Sequence, residues 1–346
     1  MTDKQNETET RRAQSCESAP GRDVSITDVA EIAGVSIATV SRTLNRPDQV
    51  SETTRRKVEE AIEKTGYRPN LAARSLRKGR SNHFVVAIQS VGHPYLTELI
   101  RDIRAAAQVA GYTISVLERR EGDLDTAEAQ GIIAARQAVG IVQVGSNVSF
   151  VLLGAGVAKE VVALPAVTID NFAAATDAIK YLIERGHRRV GMISGHRDSS
   201  VARQREAGFS DAMSNAGLQV EAGLIESGGY TIEGARQATQ RLLRLDPRPT
   251  AIFCGSDEMA IGCIHEIKQA GLSVPGHVSV MGFDDVRYAE VSDPPLTTVR
   301  QPTAEIGARI VARLIAALTD AEPISDKTEI IRHELIERGS VARPPQ

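Results

Sequence analysis

I-T-D-V-A-E-I-A-G-V-S-I-A-T-V-S-R-T-L, residues 26–44, spells two short helices joined by a tight turn. Val29, Ile32 and Ala33 recur at helical spacing and are expected on one inner face; Val40 and Leu44 do the same in the second helix. Ala30 is small where the second helix must cross closely. Gly34 is free to take the positive φ that ends the first helix, Val35 packs under the turn, and Ser36 is a good N-cap for the second helix. This is the sequence form of a helix-turn-helix, whose second helix lies in a DNA major groove. On that helix Arg42 suits a bidentate contact to O6 and N7 of guanine, while Ile37 and Ala38 suit a thymine methyl. Ser36, Thr39, Ser41 and Asn45 are short donors for phosphate oxygens, which fix register without reading bases. The competing reading of this stretch alone is a plain helical hairpin that binds nothing.

Charge sharpens the choice. The 346-residue chain carries a net charge of -3, yet residues 24–80 hold 11 Lys/Arg against 7 Asp/Glu. A basic front on an acidic body fits one polyanion-binding module attached to a larger domain. The length also exceeds one ordinary domain. No apolar run is long enough to cross a bilayer, and the opening M-T-D-K-Q-N-E-T-E-T-R-R lacks an apolar signal core, so a cytoplasmic location without membrane partners is expected. Cys16, Cys254 and Cys263 have no metal-ligand spacing and are too few for a disulfide framework, so free thiols and no bound cofactor are expected.

Residues 1–23 have the composition of a disordered tail. Asn45-Arg46-Pro47-Asp48 breaks the second helix, and Ser51 caps a third that ends at Gly66, with Val58, Ala61 and Ile62 inward. Residues 71–80 carry Arg74, Arg77, Lys78 and Arg80 and no acid. Two helical turns beginning near Asn70 are too short to be stable alone in water, but a short basic helix with an apolar tip suits a DNA minor groove. A solvated linker is the other reading. From Phe84 onward, β-rich runs alternate with helical stretches: F-V-V-A-I, T-I-S-V-L, G-I-V-Q-V, R-V-G-M-I, A-I-F-C and V-S-V-M-G-F. That alternation predicts an α/β body of two doubly wound parallel-sheet lobes. Ligands of such sheets bind outside the carboxyl ends of the strands, at Gln89–Tyr95, Ser146, Ser194–His196, Gly255–Asp257 and Asp284–Asp285.

Several runs carry a family likeness. V-A-x-x-A-G-V-S-x-x-T-V-S-R, V-S-E-T-T-R and G-Y-R-P-N-x-x-A-R-S-L resemble the lac repressor/galactose repressor family, with A-R-S-L and I-A-T-V-S-R nearest its purine- and cytidine-responsive branches. I-D-N at 169–171, L-I-E-R-G-H-R-R-V-G at 182–191, P-T-A-I-F-C-G-S-D at 249–257, V-S-V-M-G-F-D-D at 278–285, P-P-L-T-T-V at 294–299 and L-I-E-R-G-S at 335–340 come in the family's order. The resemblance implies a transcription regulator, usually a repressor, that binds a roughly palindromic double-stranded operator as a homodimer or larger assembly and responds to a small-molecule effector. It implies a helix-turn-helix domain over 24–69, a hinge over 70–80, and a periplasmic-binding-protein-like body over 83–342. Lobe 1 would be about 83–171 with 302–329, and lobe 2 about 172–301 with 330–342. Ile37, Ala38 and Arg42 match base-reading positions; Ser36, Thr39, Asn45 and Ser51 match phosphate contacts; Asn70, Ala73, Arg74 and Leu76 match the minor-groove hinge, with Leu76 as the wedge. Tyr95, Ser146, Arg205, Asp257 and Asp284 match effector-cleft positions. There are departures: Ser199 stands where purine-responsive members carry an arginine, Leu96 where an aromatic occurs, and residues 145–168 are expected to lack the usual additional strand and loop.

Two other functions compete. For an enzyme on a Rossmann-like sheet, neither G-x-G-x-x-G nor G-x-x-x-x-G-K-[ST] follows a strand, and G-H-R-D-S-S and F-C-G-S-D only weakly suggest a nucleophile. Ser256-Asp257 is better placed to cap a helix, His187 to sit in a structural turn, and Cys263 and His265, two apart on a helix, do not face each other. A solute-binding receptor would fit the body but not the basic front. The A-R-P-P-Q terminus adds no heptad tail, which favours a dimer over a tetramer.

Overall fold

Local cap chemistry sets each helix of the first unit. The computed structural model describes residues 24–67, 82–119, 126–136, 138–145, 148–152, 162–164, 166–221, 223–319 and 327–345. The chain divides into two compact units, Met1–Gly79 and Arg80–Gln346. Ser25 opens α1 (Ile26–Ala33) through a reciprocal capping box: its Oγ accepts from Asp28 N–H, and the Asp28 carboxylate accepts from Ser25 N–H at 2.7 Å. Gly34 closes the helix at φ 65°. Ser36 caps α2 (Ile37–Asn45), and Ser51 caps α3 (Glu52–Thr65). Val29, Ala30, Ala33, Val40, Val58 and Ala61 are buried together, with Leu44 and Ile62 packed against them. Ile32 departs from expectation and is 55% exposed. At about 100° per residue it lies some 60° to one side of Val29, whereas Ala33, Ile26 and Ala30 fall on the other side; Ala30 takes the inward place.

In the second unit, β1 (His83–Ile88), β2 (Thr113–Glu118), β3 (Gly140–Val144), β4 (Val148–Leu152) and β5 (Val162–Leu164) form one sheet in the order β2-β1-β3-β4-β5. The first three strands are parallel; β4 and β5 run antiparallel to their neighbours. Residues 145–168 therefore do contain additional strands, which corrects the expectation of a missing one. An antiparallel strand needs only a short turn and no crossover helix, so the stretch is short without being empty. Helices α4 (Pro94–Val109) and α5 (Thr126–Arg136) belong to this half, followed by β6 (Val167–Ile169).

The second sheet is wholly parallel, in the order β10-β9-β7-β8: β7 (Val190–Ser194), β8 (Ile225–Ser227), β9 (Ala251–Cys254) and β10 (Ser279–Met281). Its helices are α6 (Asn171–Glu184), α7 (Ser200–Asn215), α8 (Ile232–Leu243), α9 (Asp257–Gln269) and the short α10 (Tyr288–Val291). After β11 (Thr298–Arg300), helix α11 (Thr303–Thr319) returns to the first half. It packs so closely on α4 that a Cβ at Gly307 would lie 2.9 Å from Ile103 N. Then β12 (Glu329–Ile331) pairs with β6, and β13 (Glu334–Ile336) pairs with β11. The chain thus crosses between halves at 169–171, 300–303 and 331–334. His187 is fully buried before β7, bonded to Thr250 Oγ1 and Ala342 O at 2.9 Å each, a structural placement.

Candidate functional site

Two surfaces gather the candidate residues. On α2, Ile37, Ala38 and Arg42 are exposed while Val40 is fully buried, so the helix is held from one side and presents the other. The hydroxyls of Ser36 and Thr39 lie 2.8 Å apart at its first turn, and Ser36 Oγ accepts from Thr39 N–H at 3.1 Å. Ser51 repeats the device on α3, 2.9 Å from Thr54 Oγ1. A serine hydroxyl that caps a helix still has capacity for one further partner. The backbone of Asn45 ends α2. Asn70, Ala73, Arg74, Leu76, the 1–23 tail and Ser146 lie outside the described residues.

The second surface lies where the two sheets of the body present their carboxyl ends. Arg205, on α7, is 4% exposed. Its Nε donates to Asn171 Oδ1 at 3.0 Å, its Nη1 to Gly255 O, and its guanidinium lies 3.6 Å from the Phe283 ring centroid. Asp284 faces it at 3.9 Å and accepts from Gln301 Nε2 at 2.7 Å. Burial pushes the Asp284 carboxyl up to about 7, against the pull of Arg205 and the Gln301 hydrogen bond. Tyr95, on the first turn of α4, joins this pair: burial, and then the charge of Asp284, raise its phenol well above the usual range.

Asp257 does not open toward the same space. It is fully buried, its Oδ1 accepting from Thr298 Oγ1 at 2.6 Å and its Oδ2 from Val286 N–H at 2.8 Å. Burial, then Asp284, raise its pKa. Ser256 caps α9 beside it. Asp257 therefore braces the segment carrying Asp284. Arg197 is exposed, and Ser199 caps α7.

Tyr230 escaped the sequence reading, whereas His93 and His196 lie inside the segments Gln89–Tyr95 and Ser194–His196 that it singled out without naming either ring. Gly229 and Tyr230 have φ of 59° and 57°, a turn that lays the Tyr230 ring over Gly195; a Cβ there would meet the ring at 2.1 Å. His93 and His196 each stand 6.0 Å from that ring, edge-on. The signal for Tyr230 in the sequence was Gly228-Gly229 after a strand. On the first-sheet side, Gln89, Arg119, Gln143 and Gly145 line a shallow recess, with Arg119 paired to Glu128 at 2.6 Å. Among the described residues no cluster has the composition of a metal site, and no helix is long and apolar enough to cross a membrane.

Residues 25–70 match the model of bacterial regulatory proteins of the lacI family, and residues 179–341 match that of a periplasmic binding protein-like domain. The chain is 34% identical over 330 residues to the HTH-type transcriptional repressor CytR of Escherichia coli (strain K12), covering 92% of this chain and 96% of that one. Among solved structures it is similar to the lac repressor dimer bound to operator and the anti-inducer ONPF, with a TM-score of 0.74, 26% identity, and coverage of 93% and 100%. It is also similar to the transcriptional regulator CelR in complex with cellobiose, with a TM-score of 0.64, 27% identity, and coverage of 92% and 99%.

Proposed function

The chain belongs to the lacI family of bacterial regulatory proteins, and from that membership we propose that it is a sequence-specific DNA-binding repressor whose operator affinity is set by a small polar molecule in the body's cleft. The observation that carries the reading is a pair of prepared surfaces in one chain: the outward face of α2, and the Arg205–Asp284–Tyr95 group. In this reading Arg42 reads a guanine, Ile37 and Ala38 touch thymine methyls, and Ser36, Thr39, Asn45 and Ser51 hold phosphates. Residues 70–80 act as the hinge, with Asn70, Ala73 and Arg74 beside the Leu76 wedge in the minor groove. Two protomers meet a roughly palindromic site.

The effector lies against Arg205, Asp284 and Tyr95, with Ser146 from the first lobe. The buried guanidinium and a carboxyl near neutrality suit hydroxyl-bearing rings. Tyr230 gives that ring a face to rest on. Lobe 1 is taken as 83–171 with 302–329, and lobe 2 as 172–301 with 330–342. Effector and operator affinities are then reciprocally coupled through lobe closure. The relatives are regulators rather than enzymes, and the intact caps at Ser199 and Ser256 support a binding role. The test is selection of DNA sites from a random pool by the full chain, followed by a thermal-shift panel of sugars, nucleosides and purine bases. A palindromic motif plus a stabilising ligand that shifts operator affinity is the expected result. Absence of any selected motif refutes the DNA reading, and a ligand with no effect on operator affinity refutes the coupling.

A further inference from the structure

His93 is the N-cap residue of α4, yet its side chain makes no cap hydrogen bond. Pro94 follows, and proline at N1 has no N–H to satisfy. The imidazole instead reaches the second half of the body, 6.0 Å from the Tyr230 ring at 80°, with Tyr95 of its own helix 6.5 Å away on another side. Its Nδ1 is buried and has no hydrogen-bond partner. Tyr230 is in turn fixed by the Gly229–Tyr230 turn, the bare floor of Gly195 and the edge of His196.

We propose that His93 and Tyr230 form a latch between the two lobes that holds only while His93 is uncharged, so that a proton on the imidazole releases the cleft. The groups facing His93 make the charged form untenable in the closed cleft. Arg205 is already a buried cation there, and Asp284, which faces Arg205, is close to neutrality itself. Tyr95, Tyr230 and His196 add rings and no carboxylate. A protonated imidazole would bury an unpaired N–H beside a second cation, at the positive end of a helix. Burial, and then Arg205, accordingly lower its pKa to about 4. A histidine released to water returns toward 6.5. By linkage, the contribution of His93 alone lowers the closed-to-open ratio about tenfold on going from about pH 7.5 to about pH 5.5. This response belongs to the lobes and needs no ligand.

The experiment is a proton NMR titration of the histidine rings in the full chain, with the His93 signal assigned by its loss in His93→Phe. The latch requires His93 to titrate well below 6.5 and to move back toward 6.5 in Tyr230→Ala. A His93 that titrates near 6.5 in the unaltered chain overturns the proposal. Small-angle scattering at both pH values supplies the second measurement, because phenylalanine keeps a ring against Tyr230 but takes no proton. The unaltered chain should open relative to His93→Phe as pH falls, with Asp284 common to both. Identical responses overturn the latch even if an effector binds normally.

Discussion

Replacing Gly195 by alanine isolates the role of the Tyr230 ring. The new Cβ would fall 2.1 Å from ring carbons, where ordinary contact begins at 3.4 Å, so the ring has to retreat by about 1.3 Å. Gly195 does not occupy the left-handed region, so the backbone tolerates alanine. Retreat removes the edge contacts to His93 and His196, both at 6.0 Å. Aromatic pairs contribute roughly 0.5–1.5 kcal/mol each, so about 1–3 kcal/mol of cleft organisation is lost. Effector affinity should weaken by roughly 5- to 150-fold, since 1.4 kcal/mol is about tenfold. Calorimetric titration with the ligand found by thermal shift measures this, with circular dichroism to verify the fold. Unchanged affinity in a folded Gly195→Ala chain would show that the Tyr230 ring has no part in the binding surface.

Other substitutions probe the remaining assignments. Arg42→Ala should cost roughly 1–3 kcal/mol on the selected site and relax preference at one base pair; an unchanged selected motif removes Arg42 from base reading. Leu76→Ala should weaken specific binding and DNA bending while leaving non-specific binding nearly intact, as gel-shift and bending assays would report. Ser25→Ala removes the capping box of α1 and should lower the stability of the first unit by about 1 kcal/mol in urea. For Asp284, the folded value of about 7 lies above the ordinary 3.8. Its stabilising share is therefore present at acid pH and lost as pH rises through about 7, at up to about 1.4 kcal/mol per unit. Asp284→Asn should lack that slope in urea midpoints compared from pH 4.5 to 7.5, and a slope shared by both chains would contradict it.

Legibility in the sequence tracked the range of the forces involved. The helix-turn-helix was plain because Gly34, Ser36, Ser51 and Gly66 act on backbone groups within four residues. The alternation of the body was equally readable, since strand and helix periods are local properties. Ile32 misled because spacing cannot locate the centre of a buried arc when a small alanine lies at its middle. The direction of Asp257 depended on Val286 and Thr298, which approach it only after β10 and β11 are in place. The His93–Tyr230 contact was invisible for a stronger reason: it joins opposite halves of the body, and neither residue belongs to a periodic pattern. The antiparallel turn into β4 was hidden because length says nothing of strand direction over residues 145–168.

The return of α11 to α4 also governs how the body is made. Part of the α4 surface is completed by a helix that begins only at Thr303, and β6 waits for β12 at Glu329–Ile331. During synthesis the first half of the body therefore leaves the ribosome with the stretch of α4 around Asp102 and Ile103, where Gly307 of α11 packs, still uncovered until nearly the whole chain has emerged. The helix-turn-helix unit, built from neighbours in sequence, is free to fold at once. A nascent chain halted before α11 would thus carry a finished helix-turn-helix head on a body whose first half is still incomplete.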